Sequence, residues 1–246
     1  MNEKEIIEIL HTNWATAGRI AIRNNGEVDI GGDCIIRRGS DFDSIPIKFG
    51  EIGGNFSCKR TNILNLVNGP KSVRSDFDVG KNELTSLIGS PLKVIGEFLC
   101  DENNISSLEG ITPMVGLLNC SSNPLTSLEF CPETEQLECS KCELTSLRGI
   151  NQSVRELACK HNKLTSFEFL PPLRFLQCTW YETTHLLRLV SLPKECFMEI
   201  LDDFDIHAKQ IYDIIHKYKG QTPLRQAIIQ CQKELIDAGF KENAKL

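Results

Sequence analysis

The chain has 246 residues, with 27 lysines and arginines against 33 aspartates and glutamates, so its formal net charge at pH 7 is −6. A pI near 5.5 argues against a protein whose main task is to neutralise nucleic-acid phosphates. A hydrophobic share of 41% excludes a largely disordered chain, and no run approaches the apolar length of a membrane span. The acidic N-terminus lacks the basic start and apolar core of a secretory signal, so we expect a cytoplasmic protein.

The first 29 residues are predicted to form an N-terminal cap. Apolar residues recur among glutamates over residues 3–10, which is typical of a short amphipathic helix. Apolar and polar residues alternate on either side of Asn24-Asn25-Gly26, which is the pattern of a β-hairpin. Helix and hairpin together are expected to cover the open strand edge of the first repeat.

Residues 30–192 repeat with a period of 19 to 21 residues. One column of small apolar residues consists of Cys58, Val79, Cys100, Cys120, Cys139, Cys159 and Cys178. Two residues earlier stands a column of larger apolar residues: Phe56, Phe77, Phe98, Leu118, Leu137, Leu157 and Leu176. Three residues after the first column the residue is mostly asparagine, and the members are Thr61, Asn82, Asn103, Asn123, Cys142, Asn162 and Tyr181.

These columns carry a resemblance to a known class of repeat. The unit over residues 154–164 matches the leucine-rich repeat pattern L-x-x-L-x-L-x-x-N-x-L, with Cys159 in the third apolar position. The chain therefore resembles a leucine-rich repeat protein. Its Leu-Thr-Ser-Leu segments and Gly-x-Pro links resemble short-repeat proteins of bacteria and large bacteriophages. Residues 30–36 look like a degenerate unit carrying an insertion.

The resemblance covers about residues 28–192 and implies an α/β repeat solenoid of seven to eight repeats, with a parallel β-sheet on its concave face. Each repeat is expected to supply one short strand whose two apolar residues point inwards, while the asparagine closes the next turn through backbone hydrogen bonds. About nine residues remain for the return path, which is too short for a proper helix. We therefore expect a convex side that is extended or built of short 3-10 turns.

After residue 192 the apolar spacing becomes helical, which predicts a C-terminal helical bundle over residues 193–246. Helices are predicted over about 193–203 and 206–219, and a third from Thr222 as N-cap and Pro223 as first residue to Gly239. The bundle is longer than a simple cap requires. It either only caps the solenoid or also offers a second interaction surface.

No sequence motif favours catalysis. Cys139-x-x-Cys142 has the spacing of a zinc or redox pair, but both residues fall on repeat columns that account for them without a metal. The sequence contains no Walker loop, dinucleotide fingerprint or G-x-S-x-G motif. We expect no enzyme, no catalytic residue, no cofactor and no metal site.

Binding surfaces of solenoids lie on the outward positions of the sheet. Leu99 and Leu117 place apolar groups there on adjacent repeats, and Phe175 and Trp180 do so near the C-terminal end, unless the helices or a loop cover them. The predicted partner-binding residues of the concave face are Asp78, Lys81, Glu97, Leu99, Asp101, Leu117, Asn119, Glu138, Lys141, His161, Phe175, Gln177 and Trp180.

Three functions remain open. The first is a non-catalytic module that binds a protein partner, because the mixed charges of the outward positions suit a protein better than nucleic acid or a membrane. The phage resemblance implies an inhibitor of a host factor that acts in the host cytoplasm. The alternative is a small-molecule or nucleotide-binding sequestering protein with a pocket between solenoid and C-terminal helices, where Trp180, Tyr181, His161 and His185 supply stacking and polar groups. The third is a structural or oligomeric component.

Overall fold

The computed structural model describes residues 1–37, 40, 42–179, 184–200 and 206–245, except for the side chains of Ile200 and Ile206. These residues form a β-solenoid of mostly parallel strands with helices at both ends. The helices are α1 (Glu3–Asn13), the 3-10 helix η1 (Leu187–Ser191), α2 (Ile206–Tyr218) and α3 (Leu224–Asp237). The strands are β1 (Trp14–Thr16), β2 (Ile20–Ile22), β3 (Val28–Ile30), β4 (Cys34–Ile36), β5 (Phe49–Ile52), β6 (Phe56–Ser57), β7 (Ser72–Val73), β8 (Phe77–Asp78), β9 (Lys93–Val94), β10 (Glu97–Leu99), β11 (Leu117–Asn119), β12 (Gln136–Glu138), β13 (Glu156–Cys159), β14 (Phe175–Cys178) and β15 (Phe197–Ile200). Within the described parts of the chain, no helix combines the length and apolar character needed to traverse a bilayer.

The N-terminal segment contains the predicted short helix and the predicted hairpin, together with a strand, β1, that was not predicted. Helix α1 begins with a capping box, in which the Asn2 side chain accepts from the Glu5 amide at 2.9 Å and the Glu5 carboxylate accepts from the Asn2 amide at 2.9 Å. The helix buries Ile6 and Leu10 against the core. Strands β2 and β3 form the predicted antiparallel hairpin. Strand β1 pairs antiparallel with β4 and so lies along the first edge of the solenoid.

One sheet, here called the long sheet, runs the length of the solenoid in the order β1-β4-β6-β8-β10-β11-β12-β13-β14-β15. Its parallel strands pair without slippage along the predicted column, from Phe56 and Phe77 through Phe98 to Leu176. The inward residues of this column and of the cysteine column are fully or almost fully buried. The predicted repeat register is therefore confirmed, and each coil contributes its apolar pair to one continuous core.

The core changes character along the solenoid. At the N-terminal end it holds a run of aromatic rings, in which Trp14 meets Phe49 and the phenylalanines of successive coils follow at centroid distances of 5.0–5.7 Å. From β11 onwards leucines fill the same column. Aromatic pairs at such distances add to the free energy gained from burial alone.

The return side of the solenoid differs from the prediction. Instead of extended or 3-10 segments throughout, the early coils form a second sheet, here called the short sheet, in the order β2-β3-β5-β7-β9. The degenerate unit at residues 30–36 is one of these early coils, because it contributes to both sheets through Ile30 and Cys34. This sheet was not predicted, because its strands contribute only one or two inward residues each, such as Val73 and Val94.

The short sheet ends where the repeat becomes shorter. In the coils that carry it, three residues lie between the inward positions of the two sheets, as between Val94 and Phe98, whereas only two lie between Val115 and Leu118. The longer link forms a corner in which side-chain oxygens accept amides of the next coil: Asp33 from Asn55, Asn55 from Asp76, and Asp76 from Glu97, at 2.8–3.0 Å. The shorter link has no residue to continue this ladder.

The C-terminal segment corrects two predictions. The prediction of a helix over about 193–203 is wrong, because Phe197–Ile200 forms β15, which pairs parallel with β14. Residues 201–205 lie outside the described residues. Met198 is buried and Phe197 is exposed, which is the alternation of a strand. The third helix begins at Leu224 with Pro223 as N-cap, one residue later than predicted, and α2 follows its prediction closely.

Helices α2 and α3 pack on η1 at the end of the solenoid. The buried Lys219 at the end of α2 donates from Nζ to the Cys196 carbonyl, and the Gly220 amide donates to the Val190 carbonyl at 3.1 Å. Beyond α3, the Asn243 side chain donates to the Thr184 carbonyl at 3.0 Å. These bonds tie the helices to the last coil of the solenoid.

Candidate functional site

The outward side chains of the long sheet form the surface on which a partner is predicted to bind, and we call it the strand face. Two columns in register define it. The first contains Glu97, Leu117, Gln136, Glu156, Phe175 and Phe197. The second contains Ser57, Asp78, Leu99, Asn119, Glu138, Ala158, Gln177 and Glu199.

A buried asparagine ladder fixes the ends of these strands. In each turn the amide nitrogen of the asparagine donates to its own coil and to the preceding one, as Asn123 does to the Cys120 and Cys100 carbonyls at 3.1 and 3.0 Å. Its side-chain oxygen accepts the Ile105 amide at 2.9 Å. Cys142 occupies the same position in the next coil, and its Sγ lies 3.5 Å from the Cys120 carbonyl oxygen. The predicted role of this column is confirmed.

The strand face gathers most of the predicted site residues. Those in its two columns are Asp78, Glu97, Leu99, Leu117, Asn119, Glu138, Phe175 and Gln177. Asp101 lies just beyond the end of β10. Lys81, Lys141 and His161 lie further round the turn, at positive φ values of 54–58°. They therefore occupy the rim of the face and not its strands. Trp180 lies outside the described residues.

A partly exposed aromatic pair stands at the C-terminal end of the strand face. The rings of Phe175 on β14 and Phe197 on β15 stack with their centroids 5.9 Å apart and their planes 11° from parallel. Phe175 is half-buried, and Phe197 is 62% exposed. Sequence reasoning missed Phe197 because the segment was assigned to a helix. The 22-residue spacing from Phe175 and the alternation around Met198 were the signals of a further strand.

Leu99 and Leu117 form a second apolar area, near the middle of the face. They lie on the neighbouring strands β10 and β11, in different columns, and are thus diagonal neighbours. Both side chains are half-buried rather than fully exposed. The strand face therefore carries apolar groups at two places, separated by the polar residues of β12 and β13.

Some polar side chains of the face are paired with one another. The Gln177 amide donates to the Glu199 carboxylate at 2.6 Å, and the Gln136 amide donates to the Glu156 carboxylate at 3.0 Å. Asp78 forms an ion pair with Lys59 on the rim at 3.2 Å. These contacts hold the side chains of neighbouring strands in place.

Three carboxylates remain without such compensation. Among the described residues, no lysine, arginine or histidine nitrogen lies within ion-pair distance of Glu97, Asp101 or Glu138. Burial raises the pKa of Glu138, the negative charges of Glu97 and Asp101 raise it further, and Lys160 partly offsets these effects. A raised carboxyl pKa means that the negative charge is unfavourable where it stands.

The cysteines offer no reactive centre on this face. All eleven fall within the described part of the chain, all are unpaired, and ten are buried. Burial raises the pKa of Cys139 and of Cys142, so neither thiol is activated as a nucleophile. Over the described ranges, no group of three or more histidine, cysteine or acidic side chains could hold a metal ion.

Two cavities lined by described residues lie away from the junction proposed for a small molecule. One of about 750 Å³ is lined by α2 and α3, including Lys209 and Glu234. An apolar one of about 500 Å³ lies on the return side beside β9, with Leu92 and Met114 in its wall. Of the four side chains suggested for a junction pocket, Trp180 and Tyr181 lie outside the described residues, and His161 is an exposed rim residue.

Searches with protein-family models, among curated proteins and among solved structures found no match to this chain. Its function has to be inferred from the fold and the strand face.

Proposed function

We propose that this protein is a non-catalytic binding module and that a protein partner docks on the strand face. The observation that carries the proposal is the partly exposed stack of Phe175 and Phe197 on two paired parallel strands. Aromatic side chains that are partly exposed and held in one orientation are the groups that dominate the binding energy of protein interfaces. Removing their apolar surface from water is favourable, so a partner that covers these rings is stabilised on the strand face.

The repeat frame supports a finer assignment, which we propose as well: the coils are of the leucine-rich repeat type. The buried Asn123 and its equivalents close each turn in the way this pattern requires. The resemblance to phage proteins suggests, as a working hypothesis, that the partner is a host factor whose activity the module blocks. A cytoplasmic location follows from the same hypothesis.

The test compares two pairs of aromatic substitutions. Phe175→Ser with Phe197→Ser removes the stack on the strand face, whereas Phe130→Ser with Phe169→Ser removes two exposed rings from the turns between coils. Each variant and the wild type are immobilised and exposed to bacterial lysate, and retained proteins are identified by mass spectrometry. The affinity of any retained protein is then measured with the purified components.

We expect a protein that the wild type and the turn variant retain and that the strand-face variant loses. Melting temperatures of the three proteins should be similar, because none of these rings belongs to the buried core. A partner retained equally by all three proteins would contradict the proposed site.

A further inference from the structure

The strand face has a one-sided charge. Within the described strands, its two columns contain five carboxylates, those of Asp78, Glu97, Glu138, Glu156 and Glu199, and no lysine or arginine. The chain as a whole has 27 lysines and arginines, so a general shortage of basic residues does not explain their absence from these positions. Basic residues such as Lys81 and Lys141 stand on the rim instead.

The charge and the apolar groups occupy different parts of the face. Glu97, Asp101 and Glu138, which have no ion pair among the described residues, lie on or beside β10 and β12 around Leu99. The aromatic stack lies on β14 and β15. Ala158, the smallest side chain of the second column, leaves a low point between Glu138 and Gln177.

The dimensions of the sheet indicate the length of a segment that would cover both parts. Five strand spacings of about 4.8 Å separate β10 from β15, which is roughly 24 Å. An extended chain covers about 3.3 Å per residue, so roughly seven or eight residues would span that distance. The two strand spacings from β12 to β14 correspond to about three residues.

We propose that the occupant of the strand face is an extended, positively charged segment of a protein partner, with arginine or lysine in one half and an aromatic or large apolar residue in the other, the nearest such pair being about three positions apart. This rests on the proposed function. The cationic end neutralises Glu97, Asp101 and Glu138, and the apolar end covers Phe175 and Phe197. The same charge repels nucleic-acid phosphates, and it disfavours a second copy of this chain docking face to face, since that copy would bring the same five carboxylates.

The partner chemistry is tested by selection from a library of random dodecapeptides displayed on their own messenger RNA. Peptides that bind immobilised wild type are collected, and those that also bind the Phe175→Ser, Phe197→Ser variant are removed. We expect the remaining peptides to carry a net positive charge and an aromatic or large apolar residue. Their affinity should fall as the salt concentration rises.

An enriched peptide is then labelled with fluorescein, and its Kd is measured by anisotropy against matched charge variants. Glu97→Gln with Glu138→Gln should weaken binding about tenfold, while Glu109→Gln with Glu129→Gln, in exposed turns between coils, should change it less than about twofold. The carboxamides preserve shape, and circular dichroism checks that both variants fold.

The outcomes separate the two proposals. Enrichment of neutral or acidic peptides, or equal affinity for both charge variants, would overturn the cationic partner while leaving the strand face as the binding site. If no peptide depends on Phe175 and Phe197, the proposed function fails together with this inference. Tight binding of a single-stranded oligonucleotide would likewise overturn the charge argument.

Discussion

Removing one rung of the asparagine ladder is expected to destabilise the whole solenoid. Asn103 is buried, and its amide nitrogen donates to the Val79 and Cys100 carbonyls at 3.0 and 3.1 Å. Its side-chain oxygen accepts the Leu84 amide at 2.9 Å. The substitution Asn103→Ala leaves the Leu84 amide without its partner in a place that water does not reach freely. It also removes one of two side-chain hydrogen bonds at each carbonyl, since Val79 still accepts from Asn82 and Cys100 still accepts from Asn123.

The magnitude follows from one amide left unpaired and two further hydrogen bonds lost. The unpaired buried amide costs about 1–3 kcal/mol and each lost hydrogen bond about 0.5–1.5 kcal/mol, so with partial relaxation of the turn we expect a loss of about 2–4 kcal/mol in the free energy of unfolding. For a chain of this length that corresponds to a fall in Tm of roughly 10 °C. Such a loss is a large part of the stability of an ordinary domain, about 5–15 kcal/mol.

The assay is urea denaturation followed by circular dichroism, with Asn104→Ala as the matched control. Asn104 is the next residue and is exposed, and its side chain donates to the Glu83 carboxylate at 2.7 Å, so loss of this side chain should cost less than about 1 kcal/mol. The converse substitution Cys142→Asn should raise stability, because it restores an amide where the thiol now stands. If Asn103→Ala and Asn104→Ala have the same midpoint, the reasoning about the ladder is refuted.

Three further predictions concern other parts of the fold. The pKa of Glu27 is lowered to about 2 by hydrogen bonds from Lys71 and Lys48; Glu27→Gln should therefore lower Tm at pH 7, and the difference from wild type should shrink as pH falls below the ordinary carboxyl pKa and disappear near pH 2. A pH-independent difference would show that the ion pairs are not the cause. A Cβ on Gly96 would lie 2.1 Å from Asp76 Oδ1, so Gly96→Ala should cost about 1–3 kcal/mol in denaturant titrations, more than Gly116→Ala, where the nearest atom is 3.2 Å away. A thiol reagent should label at most Cys131 rapidly in the native protein and all eleven cysteines after unfolding, since ten thiols are buried; two or more fast thiols would contradict the register.

The long sheet could be predicted from the sequence because its information is repeated. Most coils present a large apolar residue, a cysteine or valine and an asparagine at fixed offsets, so an error in one coil is corrected by its neighbours. Leu157, Cys159 and Asn162 occupy the core and turn positions for which their column predicts them. The N-terminal hairpin was equally predictable, since its turn residues and alternation are local signals.

The short sheet and β15 could not be predicted in the same way. A strand with one inward residue, such as Val94, leaves no alternation to detect, and its pairing depends on link lengths that matter only once coils are stacked. The segment at Phe197 has apolar residues that fit a helix as well as a strand over so few positions. The segment becomes a strand because it pairs with the edge of β14, and this contact cannot be seen in the local sequence alone.

The two columns of the candidate site were predictable, and its aromatic stack was not. Outward positions such as Glu97 and Gln177 follow directly from the register. The ring that stacks on Phe175 comes from a segment outside the recognised repeats, so no column pointed to it.

The pairing of β15 with β14 also determines where this protein can be shortened. A chain that stops after Leu192, at the apparent end of the repeats, would lose Phe197 and leave the backbone of β14 open along one side. An open strand of that kind invites pairing between molecules, so the shortened protein should associate in solution. The last described strand thus serves two purposes at once: it supplies half of the aromatic stack and pairs with the backbone of β14.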